Sequence, residues 1–414
     1  MKLQAVMLYC IATVAPPATA QTLRTEPLSE LVKTLSVSLA DNKQADPYIN
    51  LNSDDAVEIN FDVLGAEPET LTYTLTHCNA DNSPSNLLDS EFMDGFQNRI
   101  ADDYAISLNT TMQYVNYRIL IPNENVAPKI SGNYALHVFP ENSDEPILCA
   151  MFYVVEPNVD IDLRVSSQTD RGVNNNFQQV SFTLRCPEQV KTPLNDLKVH
   201  VVQNERHDNK ATGIKPRSVQ NRLLTYEHIP ELIFNAGNEY RRFEMTTRKF
   251  NGLHIQTISF HDPFFHVALF PDRARSDAGY EYYEDINGQI YIRTLDGDSP
   301  DYEADYYIVH FFLPAEKPLE NSVYILSRAF NNLLDNSSLM EYSEQSGGYA
   351  KTAVLKEGYY NYVYVQWDGK SAAATAQTEG DYFQTENDYR VLVYFRRAGD
   401  RADRLIGNQT LKFK

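Results

Sequence analysis

The strongest constraint on the fold is a period-two alternation of apolar and polar residues in short stretches. In VEINFDVLG (57–65), apolar side chains alternate with glutamate, asparagine and aspartate, which predicts a strand with one buried face. LTYTLTHC (71–78) alternates in the same way. The chain also contains 27 Tyr and 20 Phe, with turn-forming residues recurring between the strands. Since helical periodicity is almost absent, the sequence predicts an all-β fold.

The predicted strands fall into three sets. The first ends near Pro157, and YVNYRILIP, GNYALHVFP and ILCAMFYVVEP complete it. The second runs from VDIDLRVS to EDINGQIYIR, where Asn287-Gly288 is the expected centre of a two-residue hairpin turn. The third follows the polar stretch 296–305. We therefore expect tandem immunoglobulin-like or early-set β-sandwiches over 21–157, 158–298 and 299–414, joined as a fairly rigid rod.

The N-terminal stretch MKLQAVMLYCIATVAPPATA has the pattern of a secretory signal peptide. One lysine precedes an apolar run, and Ala18-Thr19-Ala20 supplies small residues at the cleavage positions. We expect residues 1–20 to be removed after Ala20. Cys10 lies inside the apolar run, so a lipid anchor on a new N-terminal cysteine is not expected. No later stretch approaches the roughly 18 apolar residues of a membrane-spanning helix.

The formal net charge of −20 limits the classes of partner. Such an acidic surplus argues against nucleic acid and against anionic membrane surfaces, because both repel it. Cys78, Cys149 and Cys186 remain after the expected cleavage, and three cysteines cannot form a disulfide scaffold. One bridge or three buried thiols are both compatible with the sequence, and the second interpretation is favoured.

The stretch HCNADNSPSNLLDSEFMDGF (77–96) places a histidine beside a cysteine. Neighbours on a strand point to opposite faces of the sheet, so His77 and Cys78 cannot act as base and nucleophile for each other. The residues that follow form turns through side-chain hydrogen bonds to the backbone. This stretch therefore predicts a structured loop rather than a catalytic centre.

Metal sites and cofactor sites are not predicted. His261 and His266 are five residues apart around Pro263, which is not the spacing of a helical ligand pair. DGDSPDYEAD (296–305) resembles a calcium loop in its acidic spacing but lacks the glycine at the sixth position and the distal glutamate. A solvated linker is the favoured interpretation.

Two other classes of function stay open. Carboxylate pairs for glycoside hydrolysis are possible because acidic residues are numerous, but no pair is singled out. SVYILSRAFNNLL and LKEGYYNYVYVQWDG resemble the early-set sandwich of glycogen-type carbohydrate-binding modules. Such modules stack sugars on exposed tryptophans, whereas Trp367 is the only tryptophan and Leu333 stands where an aromatic is expected. The tyrosines that could offer platforms instead are Tyr359, Tyr360, Tyr362 and Tyr364.

Eight stretches, in order along most of the chain, together resemble the plug protein family of the type IX secretion system. They are HCNADNSPSNLLDSEFMDGF, SLNTTMQYVNYRILIPN, KISGNYALHVF, VVQNERHDN, FNAGNEYRRFE, EADYYIVHFFLP, LKEGYYNYVYV and EGDYFQTENDYRVLVYFRRAGDRADRLIG. The likeness extends from about residue 45 to the C-terminus. It departs from the family pattern at Asn82, where an aromatic is expected, and at Leu333.

The resemblance implies a non-enzymatic periplasmic protein that closes the periplasmic side of the outer-membrane translocon barrel. The implied partner is that barrel protein, without nucleic acid, a small-molecule substrate or a cofactor, and with membrane association only through the protein partner. A secreted glycan-binding sandwich is the alternative. Within the loop 77–96, we expect Phe92, Met93 and Phe96 either to contact the partner or to pack on their own sandwich.

Overall fold

The computed structural model describes residues 22–414, of which 47% lie in strands and 5% in helices. The predicted all-β sandwich fold is therefore confirmed. The expected signal peptide and its cleavage site after Ala20 lie outside the described residues. Within residues 22–414, no helix has the length and apolar character needed to cross a membrane.

The first sandwich packs two sheets around one hydrophobic core, and their strands are antiparallel except for one parallel pair, β3 with β12. One sheet has the order β1-β12-β11-β5-β7, with β3 beside β12, and the other has the order β2-β4-β9-β8; β6 and β10 pair separately. Its elements are β1 (Glu26–Pro27), β2 (Val32–Leu39), β3 (Tyr48–Asn50), β4 (Val57–Leu64), β5 (Leu71–Cys78), α1 (Asp89–Phe92), β6 (Met93–Gly95), β7 (Arg99–Ile100), β8 (Tyr104–Ile106), β9 (Tyr114–Ile121), β10 (Val126–Pro128), β11 (Gly132–Pro140) and β12 (Leu148–Val155).

The second sandwich begins directly after the first. Its elements up to residue 235 are β13 (Asp160–Ser166), β14 (Gln168–Thr169), β15 (Gly172–Val173), β16 (Phe177–Arg185), α2 (Pro193–Asp196), β17 (Leu197–Gln203), β18 (Ser218–Gln220), β19 (Leu223–Tyr226), a 3-10 turn (Pro230–Leu232) and β20 (Ile233–Asn235). One of its sheets has the order β13-β16-β19-β18, with β20 beside β16.

The third sandwich follows, and the chain then ends in two long strands. Its elements are β21 (Arg241–Met245), β22 (Ile255–His261), β23 (Phe264–Leu269), β24 (Ile290–Ile292), α3 (Pro300–Glu303), β25 (Tyr306–Pro314), β26 (Ser322–Leu326), a 3-10 turn (Arg328–Phe330), β27 (Glu341–Ser343), β28 (Gly348–Lys356) and β29 (Gly358–Trp367). The final strands are β30 (Asn387–Phe395) and β31 (Arg404–Phe413). The third sandwich packs the sheet β22-β23-β25-β28-β27 against β21, β24 and β26, which all pair with β29.

The final two strands return to the second sandwich. β30 pairs with β17 along its length and with β31, forming the second sheet of that sandwich. Residues from β30 and β31 share one hydrophobic core with residues from β13 to β20. The third sandwich is thus inserted into the second, and sheet pairing does not follow the expected division into 158–298 and 299–414.

The predicted turn at Asn287-Gly288 forms, but not as part of a hairpin. Both residues have positive φ, 50° and 80°, as such a turn requires. No strand ends directly before the turn, since β23 ends at Leu269, and the following β24 pairs with β29 of the third sandwich. A Cβ at position 288 would lie 2.6 Å from the ring of Tyr240, so the close approach of this ring also requires glycine.

Two adjacent segments connect the second sandwich to the inserted third. The outgoing segment carries Gly237 and Asn238, and the returning segment carries Glu379, Asp381 and Tyr382. The Gly237 N–H donates to the Asp381 carboxylate at 3.0 Å, and the Tyr382 N–H donates to the Gly237 carbonyl at 2.8 Å. The Asn238 amide donates to the Glu379 carbonyl at 2.8 Å. Because the chain crosses twice and the crossings are bonded together, the two sandwiches cannot swivel freely.

A buried ion pair joins the first sandwich to the third. The Lys356 ammonium lies 2.7 Å from the Asp62 carboxylate, and both side chains are almost fully buried. Asp62 also accepts from the Tyr306 hydroxyl at 2.6 Å and from the Asn116 amide at 2.8 Å. The Lys356 ammonium lies 4.2 Å from the centroid of the Tyr114 ring. Burial raises the pKa of Asp62, and the neighbouring Lys356 ammonium opposes that shift.

The first and second sandwiches meet at a mixed polar and apolar interface. Buried Asp403, of the second sandwich, accepts from the Ala80 N–H of the first at 3.0 Å and from Lys198 at 2.9 Å. The Tyr394 hydroxyl donates to Asn133 at 2.9 Å. Apolar residues from both sandwiches form a separate small cluster there: Ala80, Val155, Val202, Leu392, Tyr394 and Leu405.

All three sandwiches meet at Asp46 of the first sandwich. Its two carboxylate oxygens accept from Arg328 of the third and Arg390 of the second. Arg390 also donates to Glu205, and its guanidinium carbon lies 4.0 Å from the Tyr48 ring centroid. Burial opposes ionisation of Asp46, but the two guanidiniums hold its pKa below the ordinary value. Since each sandwich contacts both others, the arrangement is a closed group of three and the expected rod is wrong.

We predict that Asp46→Asn lowers the free energy of unfolding by about 3 kcal/mol, because the amide leaves two mostly buried guanidiniums without their shared carboxylate. Urea denaturation of the full chain measures the loss. Asp54→Asn is the matched control, since Asp54 is exposed on the same sandwich. Equal stability of the two variants would contradict the role assigned to Asp46.

We further predict a pH dependence from Glu239, which lies in the connection between the second and third sandwiches. Burial raises its pKa from 4.5 to about 7, although the Tyr280 hydroxyl donates to it. The folded protein therefore binds the extra proton between these pH values, and this contribution to stability is lost as pH rises through 7. Glu239→Gln should remove that loss and raise stability at pH 8 by about 1–3 kcal/mol.

Urea denaturation at pH 5 and at pH 8 measures the effect. Glu281→Gln, at an exposed position nearby, is the control for removal of one negative charge. If Glu239→Gln keeps the pH dependence of the unaltered chain, ionisation of Glu239 is not its source.

Candidate partner-binding surface

His77 is a structural residue of the first sandwich. Its side chain is buried, and Nε2 lies 3.2 Å from the Ser131 carbonyl while Nδ1 lies 3.0 Å from the Ser85 hydroxyl. Burial lowers its pKa to about 4, so the ring is neutral at physiological pH. A Cβ at Gly132 would lie 2.2 Å from Nε2, which explains why glycine stands there. Both ring nitrogens of His77 therefore make contacts that hold the loop 77–96 on the first sandwich.

The loop after His77 docks on the second sandwich. Asn82 adopts φ 61°, a left-handed conformation that asparagine tolerates well, and its side chain accepts from Asn133 at 2.7 Å. Arg396 of the second sandwich donates to Asn79, and the Ala80 N–H donates to Asp403. Asn82, which departs from the family pattern, thus shapes a turn at the interface between the first and second sandwiches.

The three cysteines are buried free thiols, as favoured from the sequence. Cys78 and Cys149 share a small apolar cluster with Ala135 and Met151. Burial raises the pKa of Cys78 and Cys149 to about 12 and that of Cys186 to about 11. Since the thiolate is the reactive form, these side chains act as small apolar groups.

The acidic stretch 296–305 is an interface and not a solvated linker. The Asp305 carboxylate accepts from the N–H groups of Thr111 and Met112, which belong to the first sandwich. Asp301 pairs with Lys43 of the first sandwich at 2.9 Å. Glu303 accepts from two N–H groups at the start of α3. These carboxylates are committed to protein donors, and residues 22–414 contain no group of side chains suited to a metal ion.

The histidines and the tyrosines considered as possible sites in the third sandwich have structural roles. His266 and His310 form a hydrogen-bonded pair, with their ring nitrogens 2.9 Å apart, on adjacent strands of the third sandwich. The tyrosines considered as sugar platforms mostly face inwards, since Tyr360, Tyr362 and Tyr364 are at most 2% exposed. Leu333 is buried as well. The buried rings offer no stacking surface to a sugar.

Of the three residues singled out in the loop 77–96, only Phe96 lies at the surface. Phe92 and Met93 are 3% and 2% exposed and pack in the core of the first sandwich. They cannot contact a partner without unfolding the loop. Of the two roles expected from the sequence, the structure therefore shows packing on their own sandwich for both residues. Phe96 is 74% exposed, and the Arg99 guanidinium lies 5.4 Å from its ring centroid. A role of Phe96 in partner binding stays a prediction.

Phe96 begins a run of exposed apolar side chains along the rim of the first sandwich. We call this run the apolar edge, and its members are Phe96, Ile100, Tyr104, Ile106 and Leu108. The last three alternate along β8 and the residues after it, so their side chains share one face. Each is about half exposed, at 49%, 50% and 51%. Exposed apolar groups concentrated in this way are typical of interaction sites.

The backbone of β8 is also open on one side. β8 is the last strand of its sheet, and Ala105 lies opposite Asn116 of β9. The flanking bonds join the Arg118 N–H to the Asp103 carbonyl and the Ser107 N–H to the Tyr114 carbonyl. In an antiparallel ladder the intervening residues, 104 and 106, direct their N–H and C=O groups away from the sheet. An extended segment of a partner could pair with them.

The apolar edge continues onto the third sandwich. The Leu108 N–H donates to the Tyr302 carbonyl at 2.8 Å, and Leu108 and Arg248 line one small cavity of about 40 Å³. Arg248 in turn lies 5.6 Å from the centroid of Phe265, which packs edge-on against the 53% exposed Phe260. Basic and apolar groups thus extend from one sandwich to the next.

The sequence contains one signal for the apolar edge, the alternation of apolar and small residues over 104–108. Tyr104, Ile106 and Leu108 alternate with Ala105 and Ser107, as in any half-buried strand. Period-two alternation shows that one face is apolar. It cannot show that the side chains of this face stay about half exposed in the folded protein. The partner surface could therefore not be located before the fold was known.

Comparison with known proteins places these features in a family. A family model described as the type 9 secretion system plug protein 1st domain matches residues 32–156, which span most of the first sandwich. The crystal structure of a hypothetical protein from Parabacteroides merdae is 43% identical. It superposes with a TM-score of 0.93 and covers 95% of this chain and 100% of that chain. A comparison with curated proteins finds no match.

The resemblance inferred from the eight sequence stretches is therefore confirmed. Family membership indicates a role in type IX secretion and a location in the cell envelope. Residues 32–156 of this chain are the first domain of the type 9 secretion system plug protein family.

Proposed function

We propose that this protein is a non-enzymatic periplasmic plug that binds the outer-membrane translocon barrel of the type IX secretion system and closes its periplasmic side. The observation that carries the proposal is the family match on the first sandwich, the same unit that bears the apolar edge. The partner is the barrel protein, and contact with the membrane occurs only through it.

The mechanism is steric. Three sandwiches held together by buried ion pairs and a bonded double connection form a stiff body, which can obstruct a pore without chemistry. A specific seal needs to bury at least about 1,000 Å². The apolar edge supplies apolar anchors and an open strand, while Arg99 and Arg248 border it with polar contacts. An interface of this mixed character suits reversible closure.

The charge of the protein supports rapid docking on a basic surface. The formal net charge is −20, and complementary potentials accelerate encounter more than they raise affinity. We expect the rim of the barrel that receives the plug to be basic. Release then requires only that secreted cargo or another subunit compete for the same contacts.

We predict that Ile106→Lys weakens binding to the solubilised translocon at least tenfold, because it buries a charge among apolar contacts. Co-purification from outer membranes and titration of the purified barrel measure the effect. Val173→Lys is the matched control, since Val173 is 66% exposed on the second sandwich. Unchanged binding by Ile106→Lys would exclude the apolar edge as the docking surface.

Closure itself is tested in cells. Deletion of the gene should let large solutes cross the outer membrane, and the unaltered chain and Val173→Lys should both restore the barrier. Ile106→Lys should fail to restore it. If deletion leaves permeability unchanged while the translocon remains assembled, the plug function is wrong.

A further inference from the structure

A cleft separates the edge strand β2 of the first sandwich from β28 of the third. Its volume is about 370 Å³, which falls within the range of small-ligand sites. It adjoins a smaller cavity of about 130 Å³ beside Asp46, and both are lined by Leu35, Ile290 and Asn331. The cleft lies away from the apolar edge, since β2 and β8 are at opposite ends of their sheet.

The cleft has an apolar floor. Six large apolar side chains contribute to its lining, and five of them are at most 8% exposed. They come from both sandwiches and are Leu35, Ile290, Phe330, Leu333, Leu355 and Tyr360. A chain of methylene groups or an apolar side chain would lose contact with water on entering the cleft, which is favourable.

Two lysines without carboxylate partners lie on the walls. Among the described residues, the half-buried Lys33 ammonium has neither an ion pair nor a hydrogen bond. Lys351 donates only to the Asn336 carbonyl, at 2.7 Å. Burial lowers the pKa of both; Glu30 opposes the shift at Lys33, and Glu341 and Asp335 oppose it at Lys351. Partly desolvated ammonium groups of this kind are stabilised by an incoming anion.

Among the described residues, no carboxylate of the cleft forms an ion pair with Lys33 or Lys351. Glu26 and Asp335 both lie near the Arg24 guanidinium, at 2.8 Å and 3.5 Å. Lys356, at the inner end, is already paired with Asp62. Two ammonium groups without ion-pair partners are therefore available to an incoming anion.

The backbone of β2 is strained where it borders the cleft. Thr34 has φ 50°, a conformation that a β-branched residue rarely adopts, and it lies at a bulge where pairing with β4 shifts between Lys33 and Ser36. The Thr34 hydroxyl is held 2.5 Å from the Tyr306 hydroxyl of the third sandwich. Bulges redirect side chains, and such strain concentrates at ligand sites.

We propose that this cleft binds a carboxylate attached to an apolar chain. The ammonium groups of Lys33 and Lys351 receive the carboxylate, and the apolar floor receives the chain. A free fatty acid and the C-terminus of a peptide with an apolar last residue share this chemistry. The ligand contacts both sandwiches at once, so its binding is a property of the assembled protein.

Isothermal titration of the mature chain tests the site with defined probes. Sodium decanoate, below its micelle concentration, should bind saturably at one site, and decylammonium chloride should bind at least tenfold more weakly. An acetylated tetrapeptide ending in leucine provides the second arm, compared with its C-terminal amide. Binding of decanoate alone identifies a fatty-acid site, whereas tighter binding of the peptide acid identifies a peptide terminus.

Lys33→Met and Lys351→Met should each weaken binding of the carboxylate probe about tenfold, the effect of removing one charge-assisted contact. Lys191→Met, at an exposed position of the second sandwich, should leave it unchanged. Circular dichroism and urea denaturation verify that each variant is folded. Saturable binding of neither probe, equal binding of the cationic or amide forms, or insensitivity to both cleft substitutions would overturn the proposal. None of these results bears on docking through the apolar edge.

Discussion

The relative placement of the three sandwiches depends on one carboxylate. Asp46, on the first sandwich, receives a guanidinium from each of the other two. Charge-assisted hydrogen bonds are directional, so they define an orientation that apolar contacts alone would leave free to slide. A second charged contact, between Asp62 and Lys356, lies fully buried between the first and third sandwiches. Buried ion pairs contribute more to a unique geometry than to net stability in some proteins, and here they join the first sandwich to both of the others.

A fixed shape is what a plug requires. A body whose units swivelled would lose conformational freedom on binding, and this loss would subtract from the affinity. The double connection through residues 236–240 and 379–386 and the charged contacts remove that freedom before binding. The surface of such a body can then be modest in area and polar in composition, and the protein can still bind specifically and leave again.

The sequence predicted the fold class well and the interfaces poorly, and β4 shows why. Its apolar positions alternate as expected and are all buried. Glu58, Asn60 and Asp62 were expected to face solvent, yet they are also at most 8% exposed, because other parts of the chain cover that face. Alternation reports which face is apolar but not what covers the polar one. The insertion of the third sandwich was invisible for a similar reason. Pairing of β17 with β30 links residues between 186 and 198 positions apart, which leaves no local pattern. For Phe92 and Met93 the sequence left partner contact and packing on the sandwich both open, because the composition of their loop does not reveal that it folds back on the core.

Whether this protein closes the pore sterically can be measured as the ionic conductance of the purified translocon barrel in a planar bilayer. The full chain would be added at saturating concentration to the side that corresponds to the periplasm. If the bound protein blocks the pore, we expect the current to fall to the level of a closed pore and to recover when the protein is washed away. If the protein binds the barrel and the current stays the same, the protein does not close the pore.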